Sequence, residues 1–166
     1  MATGRTHEKI NIFILFLLLP LLFNWFKDWL LTALCGLFYL IGTFYLSPDL
    51  DMENTLPFRR WGKLRFIWYI YSKIIPHRSS LSHSFLIGTI FRLIWLSGSI
   101  FFLGFVVALV LELLYTGDFI QAYVLSCLEI KSFCFVNQKF LIPVFVGLLL
   151  SSLLHEIVDV LWSFFN

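Results

Sequence analysis

INIFILFLLLPLLFNWFKDWLLTALCGLFYLIGTFYLSP (10–48) is the stretch that decides the fold. Ile10 to Phe26 is uncharged over 17 residues and Trp29 to Pro48 over 20, with only Lys27-Asp28 between them. A membrane-crossing helix needs about 20 mostly apolar residues. The two runs therefore read as an antiparallel helical hairpin turned at the charged pair. A cleaved signal peptide would carry small residues after its apolar core. Asn24-Trp25-Phe26 stands there instead, so the first helix reads as retained. Pro48 disfavours helical geometry at Ser47 and ends the second helix.

Composition extends this reading to the whole chain. Of 166 residues, 60% are hydrophobic, 19% aromatic and 13% charged, with a net charge of +2. Mean hydropathy is +0.88. Soluble domains hold about 25% charged residues, so a disordered tail, a nucleic-acid binder and a water-soluble enzyme are all disfavoured. The expectation is an all-α integral membrane bundle in one unit, residues 1–166. Four transmembrane helices are expected, over about 10–26, 29–47, 85–114 and 140–163, with a polar, basic and aromatic loop over 48–84. The apolar run from Phe85 to Leu114 contains only Arg92 and Glu112 as charges. At 1.5 Å per residue its 30 residues would extend about 45 Å. Thr116 to Lys139 reads as a mixed loop. Within the basic loop, Trp61, Leu64, Trp68, Tyr71 and Ile75 recur at helical spacing among Lys63, Arg65 and Lys73. That pattern fits an amphipathic helix at the lipid headgroups.

With four spans, Arg5, Lys9, Arg59, Arg60, Lys63, Arg65, Lys73 and Arg78 share one side, and Lys27, Lys131 and Lys139 the other. Positive charge favours the cytoplasm. Both termini and the basic loop are expected there, in a bacterial plasma membrane or a thylakoid-type internal membrane. The three cysteines form no CxxC and no disulfide framework. Cys35 reads as a packing residue; Cys127 and Cys134, in one expected loop, could pair if it faces an oxidising space.

The residues able to do chemistry are pooled on one face. His7 precedes the first span, His77 and His83 precede the third, and His155 ends the fourth, near Asp159; Asp49 and Asp51 end the second. His155 and Asp159, at i and i+4, share a helix face. Both could ligate one ion, or Asp159 could orient the imidazole. Asp49-Leu50-Asp51, read as extended, puts two carboxylates on the same side. His77 and His83 need a turn after Pro76 to meet. Imidazole with carboxylate favours zinc, manganese, iron or nickel over calcium. Each piece also has a plainer reading: a polar cap for a histidine at the interface, a turn or helix cap for the Asp pair, and a hydrogen-bonded pair for His155 with Asp159. Together they are harder to dismiss, because ionisable groups near hydrocarbon mark functional sites. Arg92 reads either as snorkelling to the headgroups or as meeting a substrate phosphate or a buried acid.

GRTH (4–7), SPDLD (47–51), RRWGKLRFIWYIYSKIIPHRSSLSHS (59–84) and HEIVD (155–159), in this order, resemble a bacterial family of small metal-binding membrane proteins of undetermined function. That family carries TH, SPDxD, a tryptophan-rich RWGPLRWIWxPY-type segment, HRSxLSH and HxxxD. The chain is also similar to the wider YdjM-like membrane-bound metal-dependent hydrolases, which share TH, PDxD, HRxxTHS and HxxxD. Ser82 replaces their usual Thr and keeps the hydroxyl. The resemblance implies a metal site built from His7, Asp49, Asp51, His77, His83, His155 and Asp159. Seven candidates exceed one tetrahedral site, implying two ions or supporting roles for some.

Two functions follow as expectations. One is a metal-dependent hydrolase at the cytoplasmic face, with zinc, manganese or iron, Glu156 as general base and Arg78 stabilising an anionic oxygen. Its partners would be membrane lipid and a lipid-like or phosphoester substrate, with no nucleic acid. The other is a non-catalytic protein whose ion is structural. HEIVD has Asp159 where a metallopeptidase H-E-x-x-H motif has its second His, which disfavours a peptidase. A lipid-phosphatase-like enzyme is the remaining alternative, although the PSGH block of those enzymes is absent.

Overall fold

The computed structural model describes residues 4–77 and 79–165, and every regular element among them is a helix. Helices α1 (Gly4–Phe26) and α2 (Trp29–Phe44) form the hairpin. Lys27 reverses the chain at φ 53°. The Asp28 carboxylate then accepts hydrogen bonds from the backbone N–H groups of Leu30 at 2.7 Å and Leu31 at 3.1 Å. This satisfies amides that the first turn of α2 leaves open. A 3-10 turn, Pro48–Asp51, follows α2. Next come α3 (Leu56–Arg60), a second 3-10 turn (Gly62–Leu64), α4 (Arg65–Ile74) and α5 (Ser80–His83). The long helices α6 (Ile87–Leu114), α7 (Phe119–Val136) and α8 (Gln138–Phe165) complete the chain. Five helical stretches are long and apolar enough to cross a membrane: α1, α2 with its following turn, α6, α7 and α8.

Helix α7 corrects the expected loop over 116–139. Glu129 and Lys131 interrupt its apolar run, but a helix carries both on its surface, and none of its residues is buried. Glu112 at the end of α6 caps it, accepting from Phe119 N at 2.7 Å and Ile120 N at 3.2 Å. The conditional Cys127–Cys134 disulfide is also excluded, since both are free. Seven residues apart on one helix, they are separated by about 10.5 Å along the axis, beyond the reach of a disulfide.

The amphipathic segment is broken rather than continuous. Gly62 sits at φ 54°, a left-handed geometry that suits glycine, and separates α3 from α4. The buried face of α4 is Ile67, Trp68 and Tyr71, followed by Ile75, and it packs on Leu46, Leu50, Phe58 and Leu148. Leu64, expected on that face, is exposed. Phe66, Tyr69, Ile70 and Ile74 cover the outer face beside Arg65 and Lys73.

Contacts set the helix directions. A Cβ on Gly147 would collide with the Cys35 carbonyl, and one on Gly42 with the Ser151 hydroxyl. Contact positions on α2 and α8 thus advance together, and the two helices run parallel with their backbones close, as small residues permit. Both arrive at the end where the Pro48–Asp51 turn lies. Helix α6 starts at that same end, where the Thr89 hydroxyl donates to Ser152 Oγ at 2.9 Å, and runs away from it. Helix α7 folds back on α6, its Tyr123 hydroxyl donating to the Phe101 carbonyl at 2.6 Å. Because α8 begins at the far end, α7 both starts and finishes in the far half.

Candidate metal centre

Five separate segments bring imidazoles and carboxylates to the near end of the bundle. His7 lies in the second turn of α1 and is buried. The bidentate pair of Arg60 with Glu8, at 2.6 and 2.9 Å, ties that turn to α3. The Glu8 carboxylate holds the Arg60 guanidinium above its ordinary pKa, against a smaller effect of burial. The Tyr39 hydroxyl donates to the Asn11 carbonyl at 3.0 Å, fixing α1 against α2 one turn further on.

Asp49 and Asp51 come from the 3-10 turn. Ser47 caps it, accepting from Asp49 N at 3.4 Å, and Pro48 presets its first residue. At three residues per turn, Asp49, Leu50 and Asp51 point in three directions. Leu50 fills the core, and the carboxylates splay apart. This corrects the extended reading, which put both on one side.

His77 follows Pro76 in a turn closed by Ser79 N donating to the Pro76 carbonyl at 3.1 Å. His83 ends the single-turn helix α5. Arg92 anchors that turn. Fully buried, it donates from Nη1 to the Ser82 carbonyl at 2.7 Å, and from Nη2 to Ser152 Oγ at 2.8 Å and Thr89 Oγ1 at 3.1 Å. Buried rather than snorkelling, Arg92 braces α5 against α6 and α8. A Cβ on Gly88 would lie 2.7 Å from the same Ser82 carbonyl, so glycine permits the approach. His155 and Asp159 project from one face of α8.

These seven side chains meet. His7 Nε2 lies 3.2 Å from Asp159 Oδ1, and His155 Nε2 lies 3.5 Å from Asp159 Oδ2 and 3.4 Å from Asp49 Oδ1. His77 Nδ1 lies 3.1 Å from Asp51 Oδ1, and His83 Nδ1 lies 3.4 Å from Asp51 Oδ2. The His7 and His155 rings stack at 4.2 Å. Among the described residues, three groups could each hold an ion: His7, His155 and Asp159; Asp49, His83 and His155; Asp51, His77 and His83. A charge-assisted hydrogen bond is about 2.7–2.9 Å long. Ligands about 2.0–2.1 Å from a tetrahedral zinc stand about 3.3 Å apart. The separations of His155 from Asp159 and Asp49 and of His83 from Asp51, 3.4 to 3.5 Å, lie nearer the second spacing, whereas His77 Nδ1 is within hydrogen-bond distance of both Asp51 oxygens. His83 Nε2 and His155 Nε2 are buried without an aligned hydrogen bond. Such an atom costs about 1–3 kcal/mol, which a bound cation would offset. The donor set fits a divalent ion.

A cavity of about 260 Å³ opens beside the centre, lined by His7, Asp49 and Asp159 together with Gly4, Met52, Asn54, Thr55 and Leu56. Glu156 is turned elsewhere, accepting from Phe85 N at 3.3 Å beside the start of α6. Arg78 lies outside the described residues.

The chain matches the family described as "Uncharacterized metal-binding protein (DUF2227)" over residues 2–166. It belongs to that family. An uncharacterized protein of Aquifex aeolicus (strain VF5) is 41% identical over 61 residues, covering 37% of this chain and 43% of that protein. The chain thus spans under half the length of that relative. No solved structure matches. Metal binding by the family accords with a centre of four imidazoles and three carboxylates.

Arg92 and Ser152 escaped the sequence reading as supports of the centre. Their signal was present: a charge inside a span must find partners, and a serine on a neighbouring span is one.

Proposed function

We propose that this chain is an integral membrane protein that holds divalent metal at the cytoplasmic end of its helical bundle and uses it for hydrolysis. The observation that carries the reading is the meeting of seven His and Asp side chains from five segments distant in sequence. In this reading α1, α2, α6 and α8 cross the bilayer and α7 does not, because both its ends lie in the far half. That leaves both termini with the centre, on the side holding eight of the eleven Lys and Arg in the loops and flanks, which the positive-inside rule assigns to the cytoplasm. A bacterial plasma membrane fits the family resemblance.

Zinc, manganese or iron suits the mixed imidazole and carboxylate donors. When bound, such an ion lowers the pKa of water toward neutrality and polarises a phosphoester oxygen. His7, Asp49 and Asp159 would orient water and substrate at the cavity wall. The basic α3–α4 segment, with Arg59, Lys63 and Arg65 exposed, would attract anionic headgroups. The similarity to YdjM-like hydrolases points the same way. A second reading, a structural ion, is favoured by Glu156, whose carboxylate accepts from Phe85 N at the start of α6.

The test is metal analysis of detergent-purified protein, with phosphoester and phospholipid hydrolysis assays. Metal in wild type and its loss in His83→Ala and Asp49→Ala support the centre. Equal metal in both variants and wild type rejects the assignment. Metal retained with no hydrolysis of any substrate favours the structural ion.

A further inference from the structure

We propose that the centre takes two ions, one held by His7, His155 and Asp159 and the other by Asp51, His77 and His83, with Asp49 between them. The proposal rests on the metal-centre reading above. Of the three possible groups, these two share no residue, whereas the third borrows His155 from one and His83 from the other. The two sets are built alike. Asp159 turns Oδ1 to His7 and Oδ2 to His155. Asp51 meets His77 with both oxygens, at 3.1 and 3.2 Å, and turns Oδ2 also to His83 at 3.4 Å. Each set is therefore one carboxylate shared by two imidazoles.

The 3-10 turn explains why there are two sets. It directs Asp51 to the Pro76 turn and α5, and Asp49 to α8, where Asp49 Oδ1 lies 3.4 Å from His155 Nε2. That nitrogen is buried, lacks an aligned hydrogen bond and has one lone pair, so it serves one ion. His83 joins Asp49 and His155 in the remaining group, and its Nε2 is likewise buried without a hydrogen-bond partner. Asp49 is thus placed to touch both sets.

The experiment counts ions. Protein in detergent is saturated with Mn²⁺, desalted, and measured for metal per chain and by electron paramagnetic resonance. Wild type is expected to hold two Mn²⁺ with the signature of exchange coupling. His77→Gln and His7→Gln are each expected to hold one, with an uncoupled signal. One ion in wild type, or a variant that loses both or keeps both, overturns the two-ion arrangement and leaves a metal centre standing. No ion in wild type overturns the metal-centre reading itself. If the buried His7→Gln protein fails to fold, the exposed His77→Gln variant alone decides.

Discussion

Arg92 is the residue on which the centre's geometry most depends without belonging to it. It is fully buried and supplies three hydrogen bonds to groups that hold α5 in place. Arg92→Met keeps much of the volume but strands the Ser82 carbonyl. A loss of about 2–4 kcal/mol is expected, read as a lower unfolding midpoint in detergent, together with weaker metal binding through His77 and His83. An unchanged midpoint would mean that α5 is held by other contacts. Gly88→Ala tests the same junction from the other side. Its Cβ would sit 2.7 Å from a backbone oxygen, which cannot rotate away. Metal affinity at the His77 and His83 set should fall while the His7, His155 and Asp159 set keeps its ion, by titration calorimetry.

At the scale of elements, α2 and α8 form the most intimate pair. Gly147 lies against the Cys35 carbonyl and the Tyr39 backbone nitrogen, so any side chain there forces the helices apart. Gly147→Val should abolish the folded, monodisperse protein on size-exclusion chromatography, whereas Gly98→Ala, at a position with nothing within 4 Å, should not. The link between α1 and α3 is softer. Glu8 and Arg60 are a bidentate pair at the surface, with Arg60 exposed. Glu8→Gln should lower stability by about 1 kcal/mol or less, and added salt should shrink the difference. His7 lies in the turn of α1 that this pair holds, so a looser α1 end would appear first as faster metal loss to a chelator.

At the scale of the molecule, a bound ion would couple metal to fold. The candidate ligands come from α1, the Pro48–Asp51 turn, the Pro76 turn, α5 and α8. An ion that binds only the folded chain adds about 2.7 kcal/mol at 100 times its Kd. Chelation should therefore lower the unfolding midpoint, and readdition of Zn²⁺ or Mn²⁺ should restore it. An unaffected midpoint would disconnect the ion from the fold. The path of α7 makes a second prediction at this scale. In vesicles, a membrane-impermeant maleimide should reach Cys127 and Cys134 from the face opposite the termini; labelling from the termini's face would place α7 across the bilayer.

Much of this was legible in the chain itself. Long uncharged runs specify helices because the hydrocarbon interior leaves the backbone no other partner. The Lys27-Asp28 turn, the Pro48 break and the pooling of His7, His77, His83 and His155 on one side follow from order along the chain. Helix α7 was hidden because Glu129 and Lys131 break the hydropathy signal that a helix surface tolerates. What only the tertiary structure decided is which acid faces which imidazole. Asp49 and Asp51 are two residues apart, and their partners depend on whether that segment is extended or wound into a 3-10 turn. Packing of Leu50 into the core winds it, and so sends one carboxylate to α8 and the other to the Pro76 turn and α5. Arg92 likewise has an inward role only because α6 and α8 meet where Thr89 and Ser152 can receive it. Local composition sets what a segment can become, while long-range packing sets the direction in which each side chain ends.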